Sequence, residues 1–183
     1  MTVSVKVVTT ANKILNFVQR NPGMADAFLD SVRNSGHPFS SRSLIIASEK
    51  ESQILAPSAI TRIEIDGDKD LSSFLPIAGG TPLTAIQEEK PLPRFITEDF
   101  LATRMDFFFE GGDSVALSLS TQRAMNVADR MMRITRIFEQ PLITYTLANG
   151  GIGLMNPSRM TRVKLDSHLD IFPKGTWQLE PLR

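Results

Sequence analysis

The chain has no cysteine, one tryptophan, one tyrosine and two histidines among its 183 residues. Without cysteine there can be no disulfide framework, thiolate metal site or cysteine nucleophile. His37 and His168 have no partner at His-x-x-x-His or Glu-x-x-His spacing, so no histidine-rich zinc site is encoded. His168, beside Asp166 and Asp170, reads as part of an exposed loop after a strand. Rings for stacking nucleic-acid bases are scarce, and Tyr145 and Trp177 read as packing residues. No apolar run approaches the roughly 18 residues needed to span a bilayer. The amino-terminal segment MTVSVKVVTTANKILNFVQR is interrupted by Ser4, Lys6, Thr9, Thr10, Asn12 and Lys13, so it lacks the apolar core of a signal peptide. These absences predict a cytoplasmic protein without a membrane partner.

An excess of charge is also missing. Twenty Lys and Arg balance twenty Asp and Glu, which excludes a uniformly basic nucleic-acid coat. The balance is uneven along the chain: residues 120–183 carry nine basic and five acidic residues, a net of +4, leaving −4 on residues 1–119.

Recognisable catalytic motifs are absent as well. There is no Walker pattern, no Gly-x-Gly-x-x-Gly turn after a strand and no Gly-x-Ser-x-Gly elbow. Glu88, Glu89, Glu98 and Asp99 could form an acid and base pair for a small hydrolase, but they lie in a polar, Pro-rich stretch that reads as solvated surface. The run Asp66-Gly67-Asp68-Lys69-Asp70 imitates the start of a calcium loop, yet Leu71 and Ile77 stand where an EF-hand needs glycine and an acidic ligand. It reads as a turn. No catalytic residue, cofactor or metal ligand is assigned.

What the sequence does contain is an internal repeat. Residues 54–66, ILAPSAITRIEID, align without a gap with residues 154–166, LMNPSRMTRVKLD, at an offset of 100. Pro57, Ser58, Thr61, Arg62 and Asp66 match Pro157, Ser158, Thr161, Arg162 and Asp166, and the intervening positions keep their apolar character. Each block is preceded by a β-rich stretch, Ser43–Ala47 or Pro141–Tyr145, and the second passes through the turn Asn149-Gly150-Gly151. Upstream of each lies a helical pattern. Asn21-Pro22 supplies a cap and first turn for one helix, and Thr121 is the expected cap of the other, over 121–138. A further short helix is expected from about Thr10 to Arg20. Val3, Val5 and Val7, and Val115, Leu117 and Leu119, alternate as strands, the latter pairing with Met105–Phe109 through Glu110-Gly111-Gly112-Asp113.

The expected fold class is therefore α+β and pseudo-duplicated, each half a strand and helix followed by a meander of short antiparallel strands. That order resembles small barrels of the Sm-like kind. The halves are placed at 1–66 and 105–183, sharing one compact body, with 67–104 as an acidic, Pro-rich linker or peripheral loops.

Two surfaces suggest partners. On the 121–138 helix, Arg123, Arg130, Arg133 and Arg136 share the polar face with one anion, Asp129, and Arg162 and Lys164 face outward on the second repeated strand where the first carries Arg62 and Glu64. These six cations are the candidate site for nucleic acid or another polyanion. Phe107, Phe108 and Phe109 form the other surface: strand alternation sends at least one ring to each face, as a doubly covered sheet or a self-association interface requires. Met125, Met131, Met132, Met155 and Met160 read as adaptable core. The expected function is that of a non-enzymatic structural or interaction protein that forms homo-oligomers, with polyanion binding as the alternative.

Overall fold

The computed structural model describes residues 1–40, 43–47, 52–76, 83–86, 100–122, 135–166 and 177. Its strands are β1 (Val3–Thr9), β2 (Ile14–Gln19), β3 (Leu44–Ala47), β4 (Ser52–Leu55), β5 (Ile60–Gly67), β6 (Leu83–Ala85), β7 (Phe100–Phe109), β8 (Ser114–Gln122), β9 (Ile143–Thr146), β10 (Ile152–Met155) and β11 (Met160–Asp166), and the single described α-helix is α1 (Pro22–Asn34). Nine strands form one mixed sheet in the order β11-β7-β8-β6-β9-β10-β5-β1-β2, while β3 and β4 form a separate two-stranded ribbon.

This arrangement corrects the expected fold class. Among the described residues the protein is mostly sheet, with one α-helix and a large mixed sheet, rather than a duplicated α+β body with a helix in each half. Two local misreadings account for the difference. The segment from Thr10 to Arg20 is the β2 hairpin arm instead of a helix: Asn12 turns the chain at φ 55, and Leu15 and Phe17 pair with Val7 and Val5 of β1. Their spacing fits either period, and pairing with β1 decides it. Thr121, the expected helix cap, lies in β8 opposite Leu101, with its side chain buried. Of the expected 121–138 helix, residues 123–134 fall outside the described residues, and Arg136–Glu139 form a 3-10 turn.

Helix α1 begins where the sequence indicates. Asn21 Oδ1 accepts from the amides of Gly23 and Met24 at 3.0 and 3.2 Å, Pro22 occupies the first turn, and Ala25, Leu29 and Val32 are buried. They join Val3, Val7, Ile60, Ile63, Ile65 and Leu154 in one core cluster. A second cluster gathers Met105, Phe107, Phe109, Leu117, Tyr145 and Met155. Within 67–104, β6 is a sheet strand that pairs antiparallel with β8 and parallel with β9.

The strand register, unlike the expected α+β unit, does recur at the offset of 100. Val7 faces Leu15 and Ile63, just as Phe107 faces Val115 and Val163. Each repeated block bends through a 3-10 turn, Pro57–Ala59 or Pro157–Arg159, that starts on a buried proline. Each then enters its long strand through a register shift. At that shift Thr61 Oγ1 donates to the Val8 carbonyl at 3.1 Å, and Thr161 Oγ1 to the Phe108 carbonyl at 3.1 Å. The shared proline and threonine of the block thus have the same local work in both places: one starts the turn and the other satisfies a carbonyl beside the bulge.

Candidate functional site

The most concentrated polar chemistry among the described residues lies where β5 meets the later strands. Arg62 is 7% exposed and Asp113 9%. Arg62 Nε donates to Asp113 Oδ2 at 2.7 Å and Nη2 to Oδ1 at 3.0 Å, the two-pronged geometry that guanidinium and carboxylate favour. Arg62 Nη1 is bonded to Glu64 Oε1. Glu64 also accepts from the Tyr145 hydroxyl at 3.0 Å and from Lys6 Nζ at 3.0 Å. Three strands and one hairpin turn therefore contribute to a single network: Lys6 from β1, Arg62 and Glu64 from β5, Tyr145 from β9 and Asp113 from the turn between β7 and β8.

The sequence positions each member. Arg62 and Glu64 share a face of β5 because strand side chains repeat every second residue. Gly111 and Gly112, at φ 80 and 89, turn the chain so that Asp113 arrives at Arg62. Tyr145 lies over Gly153 of β10, where a Cβ atom would come within 2.1 Å of its ring. Burial works against the Arg62 charge, but the hydrogen bond to Asp113 and the surrounding acidic groups outweigh it and raise the guanidinium above its ordinary value. Burial, followed by the Glu64 charge, pushes the Tyr145 phenol well above its ordinary range, although Arg62 pulls the other way.

Chemically this is a closed ion-pair network. Each charged group already holds partners of opposite sign, so the arrangement fixes strands against one another and leaves no free base or nucleophile. Reading Arg62 as an outward, solvated residue fails because β5 has strands on both sides, β1 and β10, and the β7–β8 turn covers its polar face. Asp113 and Tyr145 likewise escaped the sequence reading as charge partners. The available signal was an Arg and a Glu two apart on a strand with apolar neighbours, a pair that needs counter-charges once the strand is interior.

The sequence-predicted residues fall in several places. Arg162 and Lys164 are exposed on β11, and the Arg162 guanidinium sits 4.1 Å from the centroid of the Phe108 ring. Arg136 is exposed in its 3-10 turn. Arg123, Arg130 and Arg133 lie outside the described residues, as do Glu88, Glu89, Glu98, Asp99 and His168. Phe107 and Phe109 are buried in the second core cluster, whereas Phe108 is half-buried on the opposite face. In the acidic run, Asp66 accepts from Asn149 at 2.8 Å and Asp70 from the Ser72 amide at 2.8 Å, so both work as turn and loop anchors. Among the described residues no three potential ligands gather at a metal position, and no helix is long and apolar enough to cross a membrane. No protein-family model, curated protein or solved structure matches the chain.

Proposed function

We propose that this chain is a non-enzymatic structural protein that works by self-association, in the cytoplasm. The observation that carries this reading is the exposure of large apolar side chains on terminal and ribbon strands. Ile14 and Val18 project from β2, an end strand of the large sheet, and Ile45 and Ile54 from the β3–β4 ribbon. Edge strands with apolar side chains invite strand addition, and proteins that remain single normally blunt them with charge or proline. The polar joint at Arg62 supports the same reading, because its buried chemistry is spent on holding strands together. Sedimentation velocity over a concentration series tests the proposal. Species larger than the 20.3 kDa chain that grow with concentration are expected, and a strict monomer throughout overturns it.

A second reading, polyanion binding, is favoured by one observation: Arg162, Lys164 and half-buried Phe108 share a face at the sheet edge. It predicts binding to single-stranded nucleic acid that weakens steeply with salt and is lost in R162A/K164A. Retention of binding in that variant sinks it.

A further inference from the structure

The outer edge of β2 carries its own register. Strand β2 (Ile14–Gln19) pairs with β1 and ends the large sheet among the described strands. The phase of its hydrogen bonding follows from the turn before it. The Thr9 amide donates to the Lys13 carbonyl at 3.0 Å, whereas the next amide, that of Thr10, donates the other way, to the Ala59 carbonyl at 2.9 Å, beside the start of β5. Backbone groups of successive strand residues point to opposite sides, so Leu15 and Phe17, opposite Val7 and Val5, direct theirs at β1. Ile14, Asn16 and Val18 direct theirs outward. The side chains of these same three residues are exposed on one face, Ile14 at 53% and Val18 at 46%.

We propose that β2 pairs antiparallel with β2 of a second copy of this chain, about a twofold axis through Asn16, to make one continuous sheet. This rests on the self-association reading and specifies its surface. A patch that meets itself is isologous: if one residue faces a second, the second faces the first. An axis at Asn16 sets Ile14 opposite Val18 of the partner, and Asn16 opposite Asn16 of the partner. Every outward-pointing residue then exchanges both backbone bonds with another outward-pointing residue, and each exposed apolar side chain lies beside another. On the opposite face Leu15 meets Phe17 of the partner, both already packed against the first core cluster. A register one residue away sets outward backbone groups against inward ones. A register two residues away places Ile14 and Val18 against Asn16 of the partner or beyond its strand.

Charge favours a second β2 as the occupant. The stretch Ile14–Gln19 contains no proline and no charged residue, the devices that keep an edge strand single. The other end strand, β11, exposes Arg162 and Lys164 and is blunted in that way. The cations around β2 do not oppose its pairing with itself. In this register Lys13 and Arg20 fall opposite Gln19 and Asn12 of the partner, and Lys6, which neighbours Asn16 on β1, is held by Glu64 at 3.0 Å.

Two measurements on the full-length chain test the pairing. Amide exchange is followed residue by residue by NMR at concentrations below and above association. The amides of Ile14, Asn16 and Val18 are expected to slow at least about tenfold on association, while those of Leu15 and Phe17, bonded within the chain, are slow at both concentrations. The axis is tested with Asn16→Asp and Asn16→Lys. Each variant alone sets like charges against each other and is expected to associate at least about tenfold more weakly than the parent; an equimolar mixture should regain the loss, because opposite charges then meet at the axis. Association that leaves the three outward amides fast, or that is equal for N16D, N16K and their mixture, overturns the edge pairing while leaving self-association standing. Slow exchange of those amides in the dilute monomer shows that the edge is covered within its own chain and overturns the pairing as well. A monomer at every concentration overturns both.

Discussion

Arg62 on β5 and Asp113 in the β7–β8 turn form a two-pronged, nearly dry ion pair, with Nε to Oδ2 at 2.7 Å and Nη2 to Oδ1 at 3.0 Å. The two residues are 51 positions apart in sequence and connect the strand that follows the first 3-10 turn to the hairpin that opens the second set of strands. Removing one member leaves the other charge buried, which costs about 3–5 kcal/mol in comparable sites. Asp113→Ala is therefore expected to lower the unfolding free energy by about that amount, as measured by chemical denaturation. R62M/D113L, which removes both charges, should recover most of the loss. A D113A protein as stable as the parent contradicts the burial of this pair.

Tyr145 is the only tyrosine in the chain, so phenolate absorbance reports on it alone. Its folded-state pKa is raised, first by burial and then by Glu64, whereas in the unfolded chain it returns to about 10. The neutral phenol is therefore favoured by folding: its contribution to stability is intact below about pH 10 and declines as pH rises above that value. In a spectrophotometric titration, phenolate should appear together with loss of structure, as followed by circular dichroism, rather than before it. A reversible titration near pH 10 in the folded protein means that the ring is accessible.

Gly153→Ala places a Cβ atom 2.1–2.5 Å from three atoms of the Tyr145 ring. Backbone and ring cannot both stay in place, and overpacking of this kind costs about 1–3 kcal/mol. Gly111→Ala is harsher, since its Cβ would fall 1.9 Å from the Thr10 carbonyl oxygen at a φ of +80. Thermal melts are expected to show both variants below the parent, with G111A the lower. G112A, whose added Cβ meets nothing within 4 Å, should lose only what its positive φ costs.

Asn156 ties the two repeated turns together. It is 2% exposed, donates Nδ2 to the Ile60 carbonyl at 2.9 Å and accepts from the Ser158 amide at 3.2 Å and hydroxyl at 2.7 Å. Asn156→Ala leaves the Ile60 carbonyl without this donor and is expected to cost about 1–3 kcal/mol in a denaturant titration. The corresponding position in the first block is already alanine, Ala56, so the alanine fits a turn of this shape and any loss reports the hydrogen bonds.

Much of the local structure was legible along the chain. Pro57 and Pro157 mark two stretches that bend alike, because a proline-started turn is decided within a few residues, whereas the carbonyl that Thr61 or Thr161 satisfies lies 53 positions away. The Asn21-Pro22 start of α1 was equally local, as was the positive φ of Gly111 and Gly150 in their turns. The segment from Thr10 to Arg20 was not, since Leu15 and Phe17 satisfy a helical spacing as readily as the β spacing that β1 imposes.

The candidate site shows the same division. The residue types at 62 and 162 are identical, yet Arg62 is sealed in an ion pair and Arg162 lies exposed over Phe108. Ile54 and Leu154 are equivalent in pattern, yet one is open and the other buried. Alternation specifies which face of a strand is apolar; it does not say how many neighbours the strand will have. The sequence by itself determined the proline-started turns and the capped start of α1, because these depend on backbone preference and short-range hydrogen bonding. Only the tertiary structure decided that β5 has a strand on either side while β11, among the described strands, has one, because strand order is set by contacts between segments far apart in the chain.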